Sequence, residues 1–144
     1  MRRASRNSST RLLPDTNVLV YETIEDSPHH EVAVNLIDSA GELIIPSIVI
    51  HEYVWVMVKK LGVDPLFVAE KLREYLEDPR VVYVAEPLEV LRVALRLLAE
   101  RNSSPSNLND YIILGTARYY KASLATFDER LKSLARRRGI ETLP

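Results

Sequence analysis

The sequence contains no cysteine, only four glycines and two phenylalanines, and no long uninterrupted apolar run. Without cysteine the chain has neither a disulfide framework nor a thiolate metal site, which fits a reducing compartment, and we expect the cytoplasm. The longest apolar stretch, residues 43–58, is interrupted by Pro46, His51 and Glu52. It is therefore not a membrane-spanning run, and we expect a soluble protein with no membrane partner. Any bound metal ion is expected to have oxygen ligands.

Neither sign of charge dominates the composition, because 19 Lys and Arg stand against 20 Asp and Glu and give a formal net charge of −1. This balance excludes the strongly basic character of proteins that coat nucleic acids, although local basic clusters can still contact phosphates. The 47% hydrophobic and 27% charged residues are typical of a folded globular chain, and 144 residues fit one domain. We predict a disordered basic tail over residues 1–10 and a single domain over residues 11–144.

Short apolar segments alternate with amphipathic helical patterns along the chain. The patterns predict strands over residues 11–13, 43–45, 81–84 and 123–126, and a fifth strand only if residues 139–141 supply it. Helices are predicted after residues 15–17, over residues 31–40, 47–60, 64–75, 87–101 and 129–138, and around Asp110. Such alternation favours an α/β fold with a parallel sheet covered on both faces, in which ligands bind at the carboxyl ends of the strands.

Two helices carry specific packing expectations. Leu88, Leu91, Leu95 and Leu98 recur on one face of the helix predicted over residues 87–101, so we expect this stripe to pack on the sheet. The helix that contains Glu52 is apolar on all sides between residues 48 and 58, and we expect it to be buried all round, with no solvated side for a carboxylate.

Four isolated acids, Asp15, Glu52, Asp110 and Asp128, each adjoin an apolar segment. A carboxylate beside a hydrophobic core is costly unless it is paired or bound to metal. Taken singly, Asp15 and Asp128 are more simply interpreted as helix N-caps, and Asp110 suits the first turn of its helix. Taken together, two acids at strand ends and two on core-facing helix sides predict one cavity with a divalent cation. Oxygen ligands of this kind select Mg²⁺ or Mn²⁺ over zinc.

The segments around these acids resemble the motifs of the PIN-domain ribonucleases, in particular the VapC-type toxins of VapBC toxin–antitoxin systems. Residues 13–19, LPDTNVL, are similar to the first motif of the family, and the second acid matches Glu52 in residues 45–52. The third acid matches Asp110 in residues 109–117, and the fourth matches Asp128 in residues 124–128. The departures are a polar His51 before Glu52 and a somewhat long Ser-rich loop before Asp110. The resemblance extends over nearly the whole chain from Leu12 onward.

The resemblance implies a PIN-like three-layer α/β/α domain with a central parallel sheet of about five strands. It implies a Mg²⁺- or Mn²⁺-dependent endoribonuclease that hydrolyses RNA phosphodiester bonds to 5′-phosphate and 3′-hydroxyl ends. The four matched acids would be the metal ligands and catalytic residues, and Asn17 and Thr126 carry groups suited to orienting them. The number of metal ions is left open by four acids alone.

The resemblance also implies partners, namely an RNA substrate, a second copy of the chain and a small VapB-type antitoxin. Val54, Val58 and Leu61, together with the helix over residues 64–75, are candidate apolar contacts for either protein partner. No short motif identifies the RNA, because a nuclease of this size recognises shape and local contacts.

Basic residues near the C-terminus are candidate phosphate contacts: Arg118, Lys121, Arg130 and the run of residues 136–138. For the triple arginine the simpler interpretation is a solvated helix end, where cations also suit the helix dipole.

Three alternatives stay open. The chain is either an RNA-processing PIN nuclease without an antitoxin, or a non-catalytic PIN-like interaction module, or a phosphoryl-transfer enzyme of the haloacid-dehalogenase or receiver type. The last is disfavoured, because Asn17 stands where such enzymes have a second Asp and no Gly-rich phosphate loop is present. Loss of RNA cleavage in an Asp110→Asn variant would separate an enzyme from an interaction module.

Overall fold

The computed structural model describes residues 10–144, and its centre is a parallel sheet of five strands. The strands are β1 (Arg11–Pro14), β2 (Glu42–Pro46), β3 (Val81–Val84), β4 (Ser123–Ala125) and β5 (Thr142–Leu143). Their order across the sheet is β3-β2-β1-β4-β5, and every neighbouring pair is parallel. The predicted parallel sheet is confirmed. The conditional placement of the fifth strand at residues 139–141 is wrong, because β5 forms only after the chain has left the preceding helix and come level with β4.

Seven α-helices connect and cover the strands. They are α1 (Thr16–Thr23), α2 (His30–Ser39), α3 (Ser47–Trp55), α4 (Pro65–Glu77), α5 (Leu88–Glu100), α6 (Leu108–Tyr119) and α7 (Glu129–Arg137). A π-helical turn, Val56–Lys60, extends α3, and a 3₁₀ turn, Pro105–Asn107, precedes α6. Within residues 10–144 no helix is long and apolar enough to cross a membrane.

The connections place the helices in two layers. The chain moves from β1 to β2 to β3 in one direction across the sheet, and then jumps back past β1 to β4 and β5. Because parallel connections are right-handed, this reversal puts α1 to α4 on one face and α5 to α7 on the other. The contacts agree, since α1 packs against α2 and α3 while α5 packs against α6. The three-layer α/β/α architecture is confirmed. The predicted tail falls almost wholly on residues 1–9, which lie outside the described residues, so its boundary stays a prediction.

The core is centred on the middle strands. Leu12, Leu13, Leu43, Ile45 and Leu124 are each at most 1% exposed, as expected for strands covered on both faces. This burial fixes the positions of β1 and β4 against each other.

Polar contacts between α1, α3 and α4 join the helices of the first layer. The hydroxyls of Thr23 and Tyr53 are 2.8 Å apart, and the Tyr75 hydroxyl donates to Glu22 over 2.7 Å. Lys71 forms an ion pair with Glu22 at 2.9 Å. All of these groups are largely shielded from solvent, so α1 and α3 are held in a fixed relation.

Helix α3 is buried on one side only, and the expectation that it is buried all round is wrong. Val49, Tyr53 and Met57, spaced four apart, are fully buried, whereas His51 is exposed and Trp55 is 50% exposed. The exposed Trp55 ring lies 5.3 Å from the ammonium of Lys60, a cation–π contact that suits a solvent-facing aromatic ring. A run of apolar residues therefore did not distinguish a core helix from one with an apolar outer face.

Only half of the predicted leucine stripe of α5 faces inward, since Leu91 and Leu98 are partly buried against α6 and the other two leucines are exposed. Leu88 is 82% exposed and Leu95 is 55% exposed, while Val90 and Ala94 are buried against α6. The close approach depends on Gly115 of α6, since a Cβ atom at Gly115 would lie 2.8 Å from Cγ1 of Val90. The helix packs mainly on α6, because a glycine there admits the smaller residues of its other face.

This contact makes the effect of Gly115→Ala dependent on Val90. In the wild-type background the substitution should lower the free energy of unfolding by about 1 kcal/mol, because the clash exceeds the helix propensity gained. In a Val90→Ala background, where only the Cβ at 3.7 Å remains, it should stabilise by about 1 kcal/mol. Urea denaturation of the four proteins of this double-mutant cycle measures the difference. Equal effects in both backgrounds would contradict the close packing.

Candidate functional site

The candidate site lies where the strand order reverses. The chain leaves β1 towards β2 on one side, and β4 occupies the other side of β1. In open α/β sheets the crevice at the carboxyl ends of two such strands is the usual ligand site. Asp15 follows β1 directly, and Thr126 and Asp128 follow β4, so the predicted acids meet at this edge.

Asp15 is largely shielded from solvent. Its Oδ1 accepts from the backbone N–H of Thr16 at 2.7 Å, and its Oδ2 accepts from the hydroxyl of the fully buried Thr126 at 2.9 Å. Burial raises the pKa of Asp15 to about 6, the nearby Glu52 and Asp110 add to this rise, and the two hydrogen bonds oppose it. The negative charge of Asp15 is therefore unfavourable unless a cation is close.

Glu52 is joined to Asp15 through one residue. The hydroxyl of Thr16, whose N–H is bonded to Asp15, donates to Oε1 of Glu52 over 2.9 Å. Helix α3, which carries Glu52, is fixed at its N-terminus by Glu86, which accepts from the Ser47 hydroxyl and from the N–H of Ile48 at 2.9 Å. Glu86 therefore caps the N-terminus of α3 from a distant part of the chain.

Asp110 is paired with a cation of the same chain. Its Oδ2 accepts from Nη2 of Arg130 at 2.6 Å, and the carboxylate raises the pKa of that guanidinium. A second guanidinium nitrogen of Arg130 donates to the side chain of Asn107 at 3.3 Å. Arg130 thus links the start of α6 to the start of α7, and it holds a positive charge beside an acid of the site.

Asp128 is engaged at the N-terminus of α7. Its Oδ1 accepts from the N–H groups of Arg130 and Leu131, at 2.9 and 3.1 Å, and so caps α7. Its own N–H donates to the hydroxyl oxygen of Thr126 at 3.1 Å, which connects it to Asp15 through a single side chain. Asp128 is exposed to solvent.

The structure therefore joins Asp15 and Glu52, places Asp110 close enough to affect Asp15, and leaves Asp128 at the rim. Within residues 10–144 no three Asp, Glu or His side chains are arranged so that they could hold a metal ion. The donor set nevertheless suits one, since it consists of oxygen ligands around a buried acid that lacks a cation. Asn17 is exposed, and no side-chain hydrogen bond of it occurs in the described part of the chain.

Three residues position the side chains of this edge, and the sequence analysis did not identify them in that role: Thr16, Glu86 and Arg130. Thr16 was readable as the hydroxyl residue directly after Asp15, but nothing in the pattern shows that its side chain reaches Glu52. Arg130 was considered only as a phosphate contact. Pairings such as Glu86 with Ser47 join residues 39 apart in sequence and leave no local signal.

Comparisons with known proteins agree with this architecture. The family model described as the PIN domain matches residues 12–137. Among solved structures, Mycobacterium tuberculosis VapC20, a sarcin–ricin loop cleaving toxin, gives a TM-score of 0.71 at 14% identity, covering 85% of this chain and 94% of that chain. Rickettsia felis VapBC2, bound to a DNA fragment from its promoter, gives 0.67 at 18% identity, covering 93% and 98%. A toxin–antitoxin complex from Klebsiella pneumoniae gives 0.61 at 20% identity, covering 85% and 90%.

At these identities the solved structures establish a common fold. Comparison with the sequences of curated proteins gives no significant match.

The raised pKa predicts how Asp15→Asn changes stability with pH. Asp15 titrates at about 6 in the folded protein and at an ordinary value of 3.8 when unfolded, so the folded wild type loses stability as the pH rises between these values. With EDTA present, Asp15→Asn should raise the free energy of unfolding by up to about 3 kcal/mol at pH 8. Below pH 4 the two proteins should converge, because Asp15 is then protonated in both states.

Urea denaturation at pH 3.5 and at pH 8 measures this gap, with the exposed loop substitution Asp26→Asn as the matched control. A gap of the same size at both pH values would contradict the buried, destabilised carboxylate and favour a simple capping effect.

Proposed function

This chain belongs to the PIN domain family, and we propose that it is a metal-dependent endoribonuclease, the toxin of a VapBC-type toxin–antitoxin system. The observation that carries the proposal is the buried Asp15, whose pKa is raised to about 6, with Glu52 and Asp110 contributing to the rise, at the edge where the strand order reverses. A buried acid with two acidic neighbours is a common feature of sites that bind a catalytic cation. Solved toxin–antitoxin proteins of the same fold add support.

Asp15, Glu52 and Asp110 would hold a Mg²⁺ or Mn²⁺ ion, and Asp128 would join them directly or through water. The ion would supply a Lewis acid that lowers the pKa of an attacking water and offsets charge on the phosphate. Oδ2 of Asp110 could bind the ion only after giving up its pair with Arg130. The released guanidinium would then be available to a phosphate oxygen, for which its planar donors are well suited.

The surrounding residues would orient the acids and favour an anionic substrate. Thr126 and Thr16 each donate to an acid of the site, so they limit the rotation of Asp15 and Glu52. Helices α1, α6 and α7 all begin at this edge, next to Asp15, Asp110 and Asp128. Their N-terminal dipoles partly offset the acidic charge and attract phosphate.

Partners of the chain belong to the same proposal. We propose a homodimer and a small VapB-type antitoxin, and the support is apolar surface beside the site helices. Trp55, Leu61 and Phe67 are each at least 50% exposed, and Leu66 of the same region is 76% exposed. Exposed apolar patches are typical of protein–protein contact sites.

A non-catalytic interaction module is the second candidate, and the observation in its favour is the ion pair of Arg130 with Asp110. An internal cation beside the acids lowers the need for a metal ion. The two candidates differ in whether the acids support turnover.

Cleavage of a mixed pool of single-stranded RNA tests the nuclease. The purified protein should cleave with Mg²⁺ or Mn²⁺, and EDTA should stop it. Asp15→Asn should reduce the rate at least about 1,000-fold, because the group at the centre of the charge network is removed. The Asp26→Asn variant should retain the wild-type rate. Cleavage that persists in Asp15→Asn would contradict the assignment, and a folded protein inactive with either metal would favour the interaction module.

Removal of the internal cation should strengthen metal binding. Arg130→Gln frees Asp110 from its 2.6 Å ion pair, so the affinity for Mn²⁺ should rise about threefold to tenfold. Isothermal titration calorimetry without RNA measures this directly. Arg73→Gln, which removes an exposed arginine paired with Glu70 on α4, should leave the affinity unchanged. Weaker binding in Arg130→Gln would mean that the arginine positions Asp110 for the metal instead of competing with it.

A further inference from the structure

Four arginines converge on a pocket on the second helical layer, away from the acids. Arg101 follows α5, Arg118 lies in the last turn of α6, and Arg137 and Arg138 end α7. Together with Leu97 and Leu134 they line a space of about 430 Å³, which we call the arginine pocket. Neither Asp nor Glu lines it.

The arginines of the pocket lack acidic partners. Six other arginines of the described chain pair with Asp or Glu, namely Arg11, Arg73, Arg80, Arg92, Arg96 and Arg130. None of the four pocket arginines forms such a pair within residues 10–144, and residues 1–9 contain no acid in their sequence. The positive charge of the pocket is therefore not neutralised by the chain itself.

The guanidinium of Arg138 combines an unpaired buried donor with neighbouring like charges. Its Nη2 is buried and has no hydrogen-bond partner among residues 10–144, and its guanidinium lies 5.7 Å from the centre of the Tyr111 ring. Burial lowers the pKa of Arg138, and the charges of Arg101, Arg118 and Arg137 lower it further. A buried donor without an acceptor, beside three like charges, is unfavourable, and an anion in the pocket would offset the like charges.

An apolar cleft of about 380 Å³ adjoins the arginine pocket and shares Arg118 and Arg138 with it. The two spaces also share Leu97, and the cleft is further lined by Val93, the 60% exposed Tyr119 and Glu89, whose carboxylate is paired with Arg92. A cationic pocket next to an apolar, aromatic cleft matches the chemistry of a nucleotide, which places a phosphate beside a flat base. An acidic peptide offers the negative charge but not the flat apolar group.

We propose that the arginine pocket binds a backbone phosphate of an RNA strand and that the adjoining cleft takes the neighbouring base. This inference rests on the proposed ribonuclease function, since it names a second contact for the same substrate. Arg137 lies at the far end of α7, about 13 Å along the helix from the end capped by Asp128, at 1.5 Å per residue. One helix thus connects the two sites, so a strand held at the arginine pocket is fixed relative to the acids.

The test is binding of a fluorescein-labelled single-stranded RNA of 12 nucleotides to the full chain in EDTA, where no cleavage occurs. Arg101→Gln/Arg118→Gln should weaken binding about tenfold and reduce the slope of log Kd against log salt by about 0.7, the value for one phosphate on a single strand. Arg118→Gln/Arg137→Gln should do the same. The control Lys59→Gln/Arg73→Gln removes equal charge from exposed positions on the first helical layer and should leave the slope unchanged.

Thermal unfolding followed by circular dichroism establishes that both pairs are folded. Wild-type slopes in both pocket variants would overturn the proposal, as would failure of the wild-type protein to bind RNA. A polyglutamate peptide that competes as well as RNA of equal charge would assign the pocket to an acidic protein instead. Competition by inorganic phosphate at the concentration of RNA phosphates would assign it to a free anion.

Measuring RNA binding in EDTA separately from RNA cleavage distinguishes this proposal from the proposed ribonuclease function. Asp15→Asn should abolish cleavage and leave the salt slope of binding intact, whereas the pocket variants should change the slope in EDTA. A protein that binds RNA through the pocket but never cleaves it would overturn the proposed function alone.

Discussion

The burial of one carboxylate, Asp15, sets the conditions that the rest of the site must meet. Asp15 follows the central strand β1, whose Leu12 and Leu13 are fully buried, so it cannot move away from the protein interior. Two hydrogen bonds from Thr16 and Thr126 lower the free energy of its charged form, but burial and the neighbouring acids outweigh them and hold the pKa at about 6. Either a proton or a bound cation removes the remaining imbalance, so at neutral pH the chemistry of the site depends on what supplies positive charge there.

The general architecture could be predicted from the sequence because it depends on patterns that repeat locally. Alternating apolar segments and helical periods gave the parallel sheet, and the position of Asp15 directly after a strand placed it at a carboxyl edge. The packing of individual helices could not be predicted in the same way. Helix α5 is apolar on more than one side, and whether Leu88 or Val90 faces inward depends on Gly115, a residue of another helix that admits the close approach. The same limit applies to α3, where an apolar sequence includes the half-exposed Trp55.

At the candidate site the chain positions of the acids could be predicted from the sequence, whereas the directions of their side chains could not. Asp128 lies beside the site, yet its carboxylate caps α7, which is the simpler role considered for it from the sequence. Asp110 is directed to Arg130, a residue 20 positions later. Both arrangements satisfy local electrostatics in the protein alone. A divalent ion would change the balance, because a doubly charged cation competes with a helix terminus and with a guanidinium for the same oxygens.

The small net charge of −1 conceals a strong separation of charge along the second helical layer. Helix α7 begins beside the acidic site and ends in the arginine pocket, so acids and unpaired arginines occupy opposite ends of a single element. This distribution follows the helix dipole, which favours acids at the N-terminus and cations at the C-terminus. The dipole does not explain why the pocket arginines lack acidic partners within residues 10–144, or why the buried Nη2 of Arg138 has no hydrogen-bond acceptor there. A polyanion lying along α7 would satisfy both ends, since its phosphates could meet the arginines at one end and, with a cation, the acids at the other. For that reason the arginines and acids are better understood as two contacts of one extended ligand than as separate surface features.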